Sequence, residues 1–184
     1  TLISGDLTTQ ISSVEFDSRK VTEGSLFICI TGFTVDGHSF ARASAEKGAA
    51  ALVIDSGRKG FPDGEFQTLS EETGVTVVSV RDTHKLMADI CANFREHPEN
   101  RLSVYGITGT KGKTTTAFML KAILEEGGMH PGLIGTVCNI IAGETLHAAH
   151  TTPESRDLFE MMSKLCASGS ESLVMEVSSQ ALKL

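Results

Sequence analysis

The chain has 184 residues, which suits one large domain or two small ones. Its 23 acidic and 16 basic residues give a net charge of −7, which argues against non-specific nucleic-acid binding. No apolar run reaches the length of a membrane span, and we expect no export signal at the N-terminus. The four cysteines lie far apart, so we expect free thiols in a cytoplasmic protein, with neither disulfides nor a zinc site.

The first block, residues 1–98, alternates strand and helix signals. Its apolar runs predict strands at residues 14–16, 26–30, 49–54 and 75–80. Helical spacing of apolar residues predicts helices at 38–47 and 82–97. The stretch 56–74 is rich in glycine and charge and is predicted to be a loop. The block is therefore predicted to be a small α/β domain.

The second block, residues 99–184, follows a short linker at Pro98 and repeats this alternation. Its strand signals lie at residues 102–108, 132–137, 139–141 and 172–177. One helix follows the first strand, with an apolar face of Ala117, Leu120, Ile123 and Leu124. The pattern predicts part of a mainly parallel, helix-covered sheet. Because the block stops soon after a central-looking strand, we expect the chain to be a fragment of a longer protein.

A glycine-bearing loop joins the first strand of this block to its helix. It has the sequence Gly109-Thr110-Lys111-Gly112-Lys113-Thr114-Thr115-Thr116. Such a loop turns backbone N–H groups toward a phosphate, and the helix N-terminus adds partial positive charge. Lys113 is positioned to contact the β- and γ-phosphates, and the Thr114 hydroxyl to hold Mg²⁺. Ile107 stands where the longer form of the motif has its first glycine, so the loop is the short variant.

Three other segments carry polar groups that could contact a ligand. Glu176 ends a strand, where open α/β sheets place ligand sites; it is either a Mg²⁺-holding acid or an exposed carboxylate. The segment 150–154 fits anion or sugar contacts, but its spacing favours helix capping by Thr151 or Thr152, with Glu154 in a capping box. The segment 17–19 could hold a polar ligand, although a surface turn is favoured.

Together these segments make the chain resemble the Mur ligases of peptidoglycan synthesis, and among them the branch that adds the third amino acid of the peptide. The matching segments run nearly end to end and keep a specific order and spacing. They are Asp17-Ser18-Arg19-Lys20-Val21, Gly24-Ser25-Leu26-Phe27, Gly32-Phe33-Thr34-Val35-Asp36-Gly37-His38, the loop 106–116, Thr151-Thr152-Pro153-Glu154-Ser155 and Met175-Glu176-Val177-Ser178-Ser179.

The resemblance implies that residues 1–98 bind the uridine nucleotide and that residues 99–184 begin a central ATP-binding domain. A C-terminal amino-acid-binding domain would lie beyond this chain. The implied substrates are ATP, UDP-N-acetylmuramoyl-L-alanyl-D-glutamate and a free amino acid, either lysine or diaminopimelate. The D-glutamyl carboxylate would be activated as an acyl phosphate and then attacked by the amine.

The resemblance also implies roles for individual residues, carried over by matching positions. ATP would bind the loop residues Gly109, Thr110, Lys111, Gly112, Lys113, Thr114 and Thr115, with Lys113 stabilising the transferred phosphoryl group. Mg²⁺ would be held by Thr114 and Glu176. The uridine nucleotide would contact Phe16, Ser18, Phe33, Thr34 and Val35. The muramoyl-peptide part would contact His150, Thr151, Thr152 and Ser178.

Two positions depart from the family pattern. Lys111 stands where family loops usually carry asparagine, and Gln180 replaces the histidine of a Ser-Ser-His sequence. The second departure leaves open an altered substrate. Other open interpretations are a ligase like folylpolyglutamate synthase, a non-catalytic nucleotide-binding protein and a small phosphate-loop kinase.

Overall fold

A computed structural model of the chain describes residues 1–32, 35–56 and 64–181. The strands within these residues are β1 (Leu2–Ser4), β2 (Ser13–Glu15), β3 (Ser25–Ile28), β4 (Ala51–Asp55), β5 (Thr76–Val80), β6 (Ser103–Ile107), β7 (Gly132–Ile134), β8 (Cys138–Ile141), β9 (Glu144–His147) and β10 (Ser172–Glu176). The α-helices are α1 (Ala41–Glu46), α2 (Glu65–Thr73), α3 (Thr83–Phe94), α4 (Lys113–Glu126) and α5 (Ser155–Ala167). Short 3-10 helices lie at Gly37–Phe40 and Pro98–Asn100.

The chain divides into two compact units, Thr1–Asp89 and Ile90–Leu184. The boundary between the units falls inside α3. It therefore lies several residues before Pro98, where the sequence pattern places the linker between the two blocks. Each unit has its own sheet, and the α/β class expected from the alternating pattern is confirmed. No helix among the described residues has the length and apolar character to cross a bilayer.

The sheet of the first unit has the order β1-β5-β4-β3-β2. Strands β2 to β5 are parallel, and β1 adds to the edge in the antiparallel direction. Phe27, Leu52 and Val77 are fully buried on adjacent strands at the centre of the core. Strand β1 was not predicted, because it has three residues and its Leu2 and Ile3 remain substantially exposed.

The prediction of a loop over 56–74 is wrong for its second half, which forms α2. Gly64 and Gly74 flank this helix in the left-handed conformation, with φ of 87° and 76°. Of its side chains, only Leu69 and Ser70 are buried. The helix therefore lacks the wide apolar stripe by which an amphipathic helix is found in a sequence.

The sheet of the second unit has the order β6-β10-β7-β8-β9. Strands β6, β10 and β7 are parallel, whereas β8 and β9 extend the sheet as antiparallel strands. Strand β9 was not predicted, since all four of its residues are exposed and carry no alternation of burial. The sheet is thus parallel at the end that bears the glycine loop and antiparallel at the other.

Helices α4 and α5 cover opposite faces of this sheet, because successive strand residues point to opposite sides. Leu133 and Val174 pack with Ala117 of α4, while Leu173 and Ile134 pack with Leu165 of α5. The apolar face of α4 is narrower than predicted. Its Ile123 is 65% exposed and lies outside the core.

Candidate functional site

The carboxyl ends of three parallel strands in the second unit meet at one edge of the sheet. Glu176, the last residue of β10, lies opposite Ile107, the last residue of β6. Its neighbour Met175 lies opposite Ile134, the last residue of β7. The glycine loop after β6 and the turn after β7 therefore both begin beside the Glu176 side chain. This is the position at which open parallel sheets bind ligands.

The loop after β6 leads directly into α4, as the sequence predicts. Gly112 precedes the helix with φ of 80°, and Gly109 has φ of 150°, both values that favour glycine. No side chain caps the first turn of α4, so its free N–H groups face outward as donors for an anion. The loop residues Gly109, Thr110, Lys111, Gly112 and Thr115 are all exposed.

The Lys113 side chain folds back over this loop. Its Nζ donates a hydrogen bond to the backbone oxygen of Gly109, at 2.9 Å. The ammonium group is therefore held against the backbone of the loop that precedes α4. A lysine placed in this way supplies a point charge to a phosphate group.

The Glu176 carboxylate is buried at the centre of the site, with 1% of the residue exposed. Its Oε2 accepts a hydrogen bond from the Thr114 hydroxyl, at 3.0 Å, and one from the Thr136 hydroxyl, at 3.1 Å. Its Oε1 accepts from the backbone N–H of Thr136, at 3.0 Å. The structure thus joins the two residues that the resemblance proposes as Mg²⁺ ligands. It excludes the alternative of an exposed carboxylate.

These two side chains fit a magnesium ion on chemical grounds. Mg²⁺ prefers hard oxygen ligands and usually binds one or two protein groups together with phosphate oxygens and waters. Thr114 and Glu176 offer a hydroxyl and carboxylate oxygens next to the glycine loop. Buried carboxylates are costly unless they are paired or coordinate a metal, and the groups of Thr114 and Thr136 that donate to Glu176 are neutral.

The segment 150–154 does not cap α5, so that prediction is wrong. Glu154 occupies the N-cap position without a side-chain hydrogen bond to the helix. Thr152 instead bonds to the backbone at the end of β10: its Oγ1 donates to the backbone oxygen of Glu176 and accepts from the N–H of Ser178, both at 3.0 Å. The Thr151 hydroxyl lies 3.1 Å from that of Thr136. Thr151, Thr152 and Ser178 are thereby brought to the Glu176 site.

His150 is exposed and directly precedes Thr151 in the chain. His147, three residues before it, lies exposed on β9. No group of three or more histidine, cysteine, aspartate or glutamate side chains that could hold a metal is found among residues 1–32, 35–56 and 64–181.

Two of the predicted nucleotide contacts of the first unit follow β2, and Val35 comes after β3 in the chain. Phe16 and Ser18 are half-buried after β2, and Val35 is 54% exposed. Phe33 and Thr34 lie outside the described residues. Asp17 and Arg19 form a forked ion pair, with the Arg19 Nη2 donating to Oδ2 at 2.8 Å. Hydrogen bonds from Arg19 lower the pKa of Asp17 to about 2.

His38 is a residue of this unit to which the sequence assigns no role beyond its place in the matching segment. The backbone N–H of Asp55 donates to its Nε2, at 3.0 Å, which places the ring proton on Nδ1. Nδ1 then donates to Oδ1 of Asp36, at 2.8 Å. Asp36 also pairs with Thr31 in an isolated bridge. The buried imidazole therefore holds Asp36, the neighbour of Val35, to the end of β4.

Thr136 is the residue of the second unit that sequence reasoning missed. It follows β7 just as the glycine loop follows β6, so its position at the end of a predicted parallel strand was a usable signal. The signal was weak, because the strand was predicted to run through residue 137. The structure ends β7 at Ile134, and Gly135 and Thr136 then lie against Glu176.

Comparison with known proteins identifies the family. The model of the Mur ligase family catalytic domain matches residues 10–95, and that of the Mur ligase middle domain matches residues 107–184. The chain therefore belongs to the Mur ligase family and carries its N-terminal and middle domains. The expectation from the sequence motifs is confirmed.

Curated relatives within this family are similar to the chain over almost its whole length. UDP-N-acetylmuramoyl-L-alanyl-D-glutamate–2,6-diaminopimelate ligase of Clostridium perfringens is 39% identical over 183 residues, covering 100% of this chain and 36% of the relative. The corresponding ligase 1 of Clostridium acetobutylicum is 43% identical over 183 residues, with the same coverage. The chain thus spans about a third of the length of these relatives.

A solved structure agrees with the fold. A UDP-N-acetylmuramoyl-L-alanyl-D-glutamate–2,6-diaminopimelate ligase superposes with a TM-score of 0.67 and 22% sequence identity, over 94% of this chain and 33% of that one. The likeness extends to the architecture of both units. It supports the assignment of an α/β fold of this family.

Proposed function

We propose that this chain provides the uridine-nucleotide-binding and ATP-binding parts of an ATP-dependent amide ligase. The full-length enzyme would add a third amino acid to UDP-N-acetylmuramoyl-L-alanyl-D-glutamate in peptidoglycan synthesis. The observation that carries the proposal is the hydrogen bond between Thr114 and the buried Glu176, beside the Lys113 loop. The names of the relatives favour diaminopimelate over lysine as the added amino acid.

In this proposal the two blocks of the chain bind different substrates. Residues 1–98 bind the uridine nucleotide, and residues 99–184 hold ATP and begin the central domain. The amino-acid determinants belong to a further domain of the full-length protein. We place the enzyme in the cytoplasm, where ATP is available and where the free cysteines are stable as thiols.

The first chemical step activates the substrate. A carboxylate oxygen of the D-glutamyl residue attacks the γ-phosphorus of ATP, the bond to the β–γ bridging oxygen breaks, and ADP leaves. Lys113 neutralises charge on the transferred group, and the N–H groups at the start of α4 bind the phosphate oxygens. Mg²⁺, held by Thr114 and Glu176, would offset the negative charge of the β- and γ-phosphates.

The second step forms the amide bond. The amine of the incoming amino acid attacks the acyl carbon, the carbon–oxygen bond to phosphate breaks, and inorganic phosphate leaves as the amine loses its proton. Thr151, Thr152 and Ser178 lie within the hydrogen-bond network of Glu176. In the proposal they orient the muramoyl-peptide carboxylate, so that positioning contributes much of the rate.

The test uses the full-length protein with Mg-ATP, UDP-N-acetylmuramoyl-L-alanyl-D-glutamate and a panel of amino acids. Phosphate release and the mass of the nucleotide product are followed together. We expect phosphate release with diaminopimelate and a mass gain that matches one added residue. If the nucleotide product gains mass with lysine alone, the protein is still a ligase of this kind, but the amino acid that it adds is lysine.

Two results would overturn the proposal. One is binding of ATP with no product from any amino acid of the panel, which would indicate a non-catalytic protein or a different acid substrate. The other is product formation that does not require the uridine nucleotide, which would favour a ligase like folylpolyglutamate synthase. In either case Gln180 is the first position to examine, because it lies close to Ser178 in the chain and departs from the family pattern.

A further inference from the structure

We infer that Thr136 is a positioning residue that fixes the Glu176 carboxylate for metal binding and joins it to the Thr151 hydroxyl. The inference rests on the proposed function, since it assumes that Glu176 holds Mg²⁺ during ATP turnover. No family role was carried over to Thr136 from the sequence.

The first observation is that Thr136 contacts both oxygens of the carboxylate. Its backbone N–H donates to Oε1 at 3.0 Å, and its hydroxyl lies 3.1 Å from Oε2. Two donors from one residue, one to each oxygen, fix both the position and the rotation of the carboxylate plane. Thr114 alone, which contacts only Oε2, leaves that rotation free.

The second observation is the direction of the hydrogen bonds around the Thr136 hydroxyl. A hydroxyl has a single proton, and an ionised carboxylate can only accept, so the Thr136 proton goes to Glu176. The Thr151 hydroxyl, 3.1 Å from the Thr136 oxygen, is therefore the donor in that pair. The result is a directed chain from Thr151 through Thr136 to Glu176, and it links a proposed substrate contact with a proposed metal ligand.

The third observation is that the turn carrying Thr136 is held in place and built closely around the carboxylate. The N–H of Gly135 donates to the Asn139 side chain, at 3.2 Å and buried. A Cβ at Gly135 would collide with Oε1 of Glu176. The glycine thus lets the backbone approach closely enough for the next residue to donate from its own N–H.

These contacts predict a specific effect of removing the hydroxyl. Thr136→Val keeps the shape and the backbone donor but withdraws one hydrogen bond from Glu176 and one acceptor from Thr151. Outer-shell partners of metal ligands typically change metal affinity by about 10–100-fold. Thr136→Ser keeps the hydroxyl, and Val137→Thr alters the adjacent residue, which is 65% exposed.

The experiment measures two quantities on the full-length protein and these variants. The first is binding of Mn²⁺, as a paramagnetic substitute for Mg²⁺, in the presence of ADP. The second is the Mg²⁺ concentration that gives half-maximal ATP turnover. We expect Thr136→Val to weaken both by about 10-fold or more, whereas Thr136→Ser and Val137→Thr stay within a factor of about three of the wild type.

The inference is overturned if Thr136→Val binds Mn²⁺ as the wild type does, or if serine is as defective as valine. Should the valine variant not fold, Thr136→Ala is compared with Thr136→Ser by the same criteria. Mn²⁺ binding needs no peptide substrate, so it separates the two proposals. A wild-type protein that binds Mn²⁺ with ADP but makes no product would contradict the ligase, while the Thr136 comparison would still be decided.

Discussion

The hydroxyl of Thr114 donates a hydrogen bond to the carboxylate of Glu176, 3.0 Å away in space and 62 residues further along the chain. The two residues begin α4 and end β10, so their contact depends on how β6 and β10 pair. It places a candidate metal ligand of the loop against a buried acid. Substitutions at these positions and around them test what the contact does.

Glu176→Gln should reduce ATP turnover of the full-length protein by about 100-fold or more. The amide keeps the volume but loses the charge, and its NH₂ group cannot accept from Thr114 or Thr136. Steady-state phosphate release at saturating Mg²⁺ measures the effect. Glu171→Gln is the matched control, because that carboxylate is exposed just before the same strand. Equal rates of phosphate release for the two variants would show that Glu176 takes no part in ATP turnover.

Lys113→Ala should abolish ATP turnover while leaving binding of the uridine nucleotide intact. Within the described parts of the chain this side chain makes one hydrogen bond, which is exposed, so its loss should change the thermal midpoint little. Turnover and uridine-nucleotide affinity are measured on the same sample. Lys121→Ala, on the same helix, removes an ion pair with the half-exposed Glu125 and should keep near-normal turnover. Near-normal turnover of Lys113→Ala would contradict the proposed role.

Thr152→Val should lower the free energy of unfolding by about 1–3 kcal/mol. The substitution leaves the N–H of Ser178 and the backbone oxygen of Glu176 without the partner they have in the structure. Urea unfolding measures the change. Thr116→Val, at an exposed position of α4, should change stability by less than about 0.5 kcal/mol. If Thr152 only capped α5, its loss would leave the Ser178 N–H as protected from hydrogen exchange as in the wild type.

His38 should make stability depend on pH in the mildly acidic range. Burial lowers the pKa of His38, against the opposing effect of the Asp55 carboxylate. The unfolded chain, with a histidine pKa near ~6.5, therefore takes up a proton before the folded chain does. This contribution to stability is complete above that pH and is lost as the pH falls toward the folded-state value.

The measurement is the thermal midpoint between about pH 7.5 and 5. His38→Gln should be less stable at neutral pH but should show a smaller loss on acidification. His147→Gln, which changes an exposed histidine on β9, should keep the wild-type slope. Identical slopes for wild type and His38→Gln would show that the imidazole does not carry the effect.

The glycine loop, the helix after it and the alternation of strands and helices could be predicted from the sequence. Each depends on neighbours within a short stretch: the loop on its glycines and Lys113, and α4 on the spacing of Ala117, Leu120 and Leu124, which belong to one core cluster. Elements with little burial escaped prediction. Helix α2 buries only Leu69 and Ser70, and β9 buries no side chain, so neither carries the periodicity that reveals an element.

The residues of the candidate site could be predicted from the sequence only in part. Family motifs and strand-end position singled out Thr114 and Glu176, but their contact and the part played by Thr136 arise because β10 inserts between β6 and β7. The capping pattern at Thr151 and Thr152 was misread for the same reason. A hydroxyl near a helix start can bond either to that helix or to a distant strand, and local spacing cannot distinguish them.

The sequence by itself determined the family and the glycine loop with the helix that follows it, because these reside in contiguous residues with fixed backbone requirements. The tertiary structure alone decided which polar groups surround the Glu176 carboxylate. Strand order and register are set by burial over the whole sheet, and a buried carboxylate takes as partners whatever donors that pairing brings within hydrogen-bond distance.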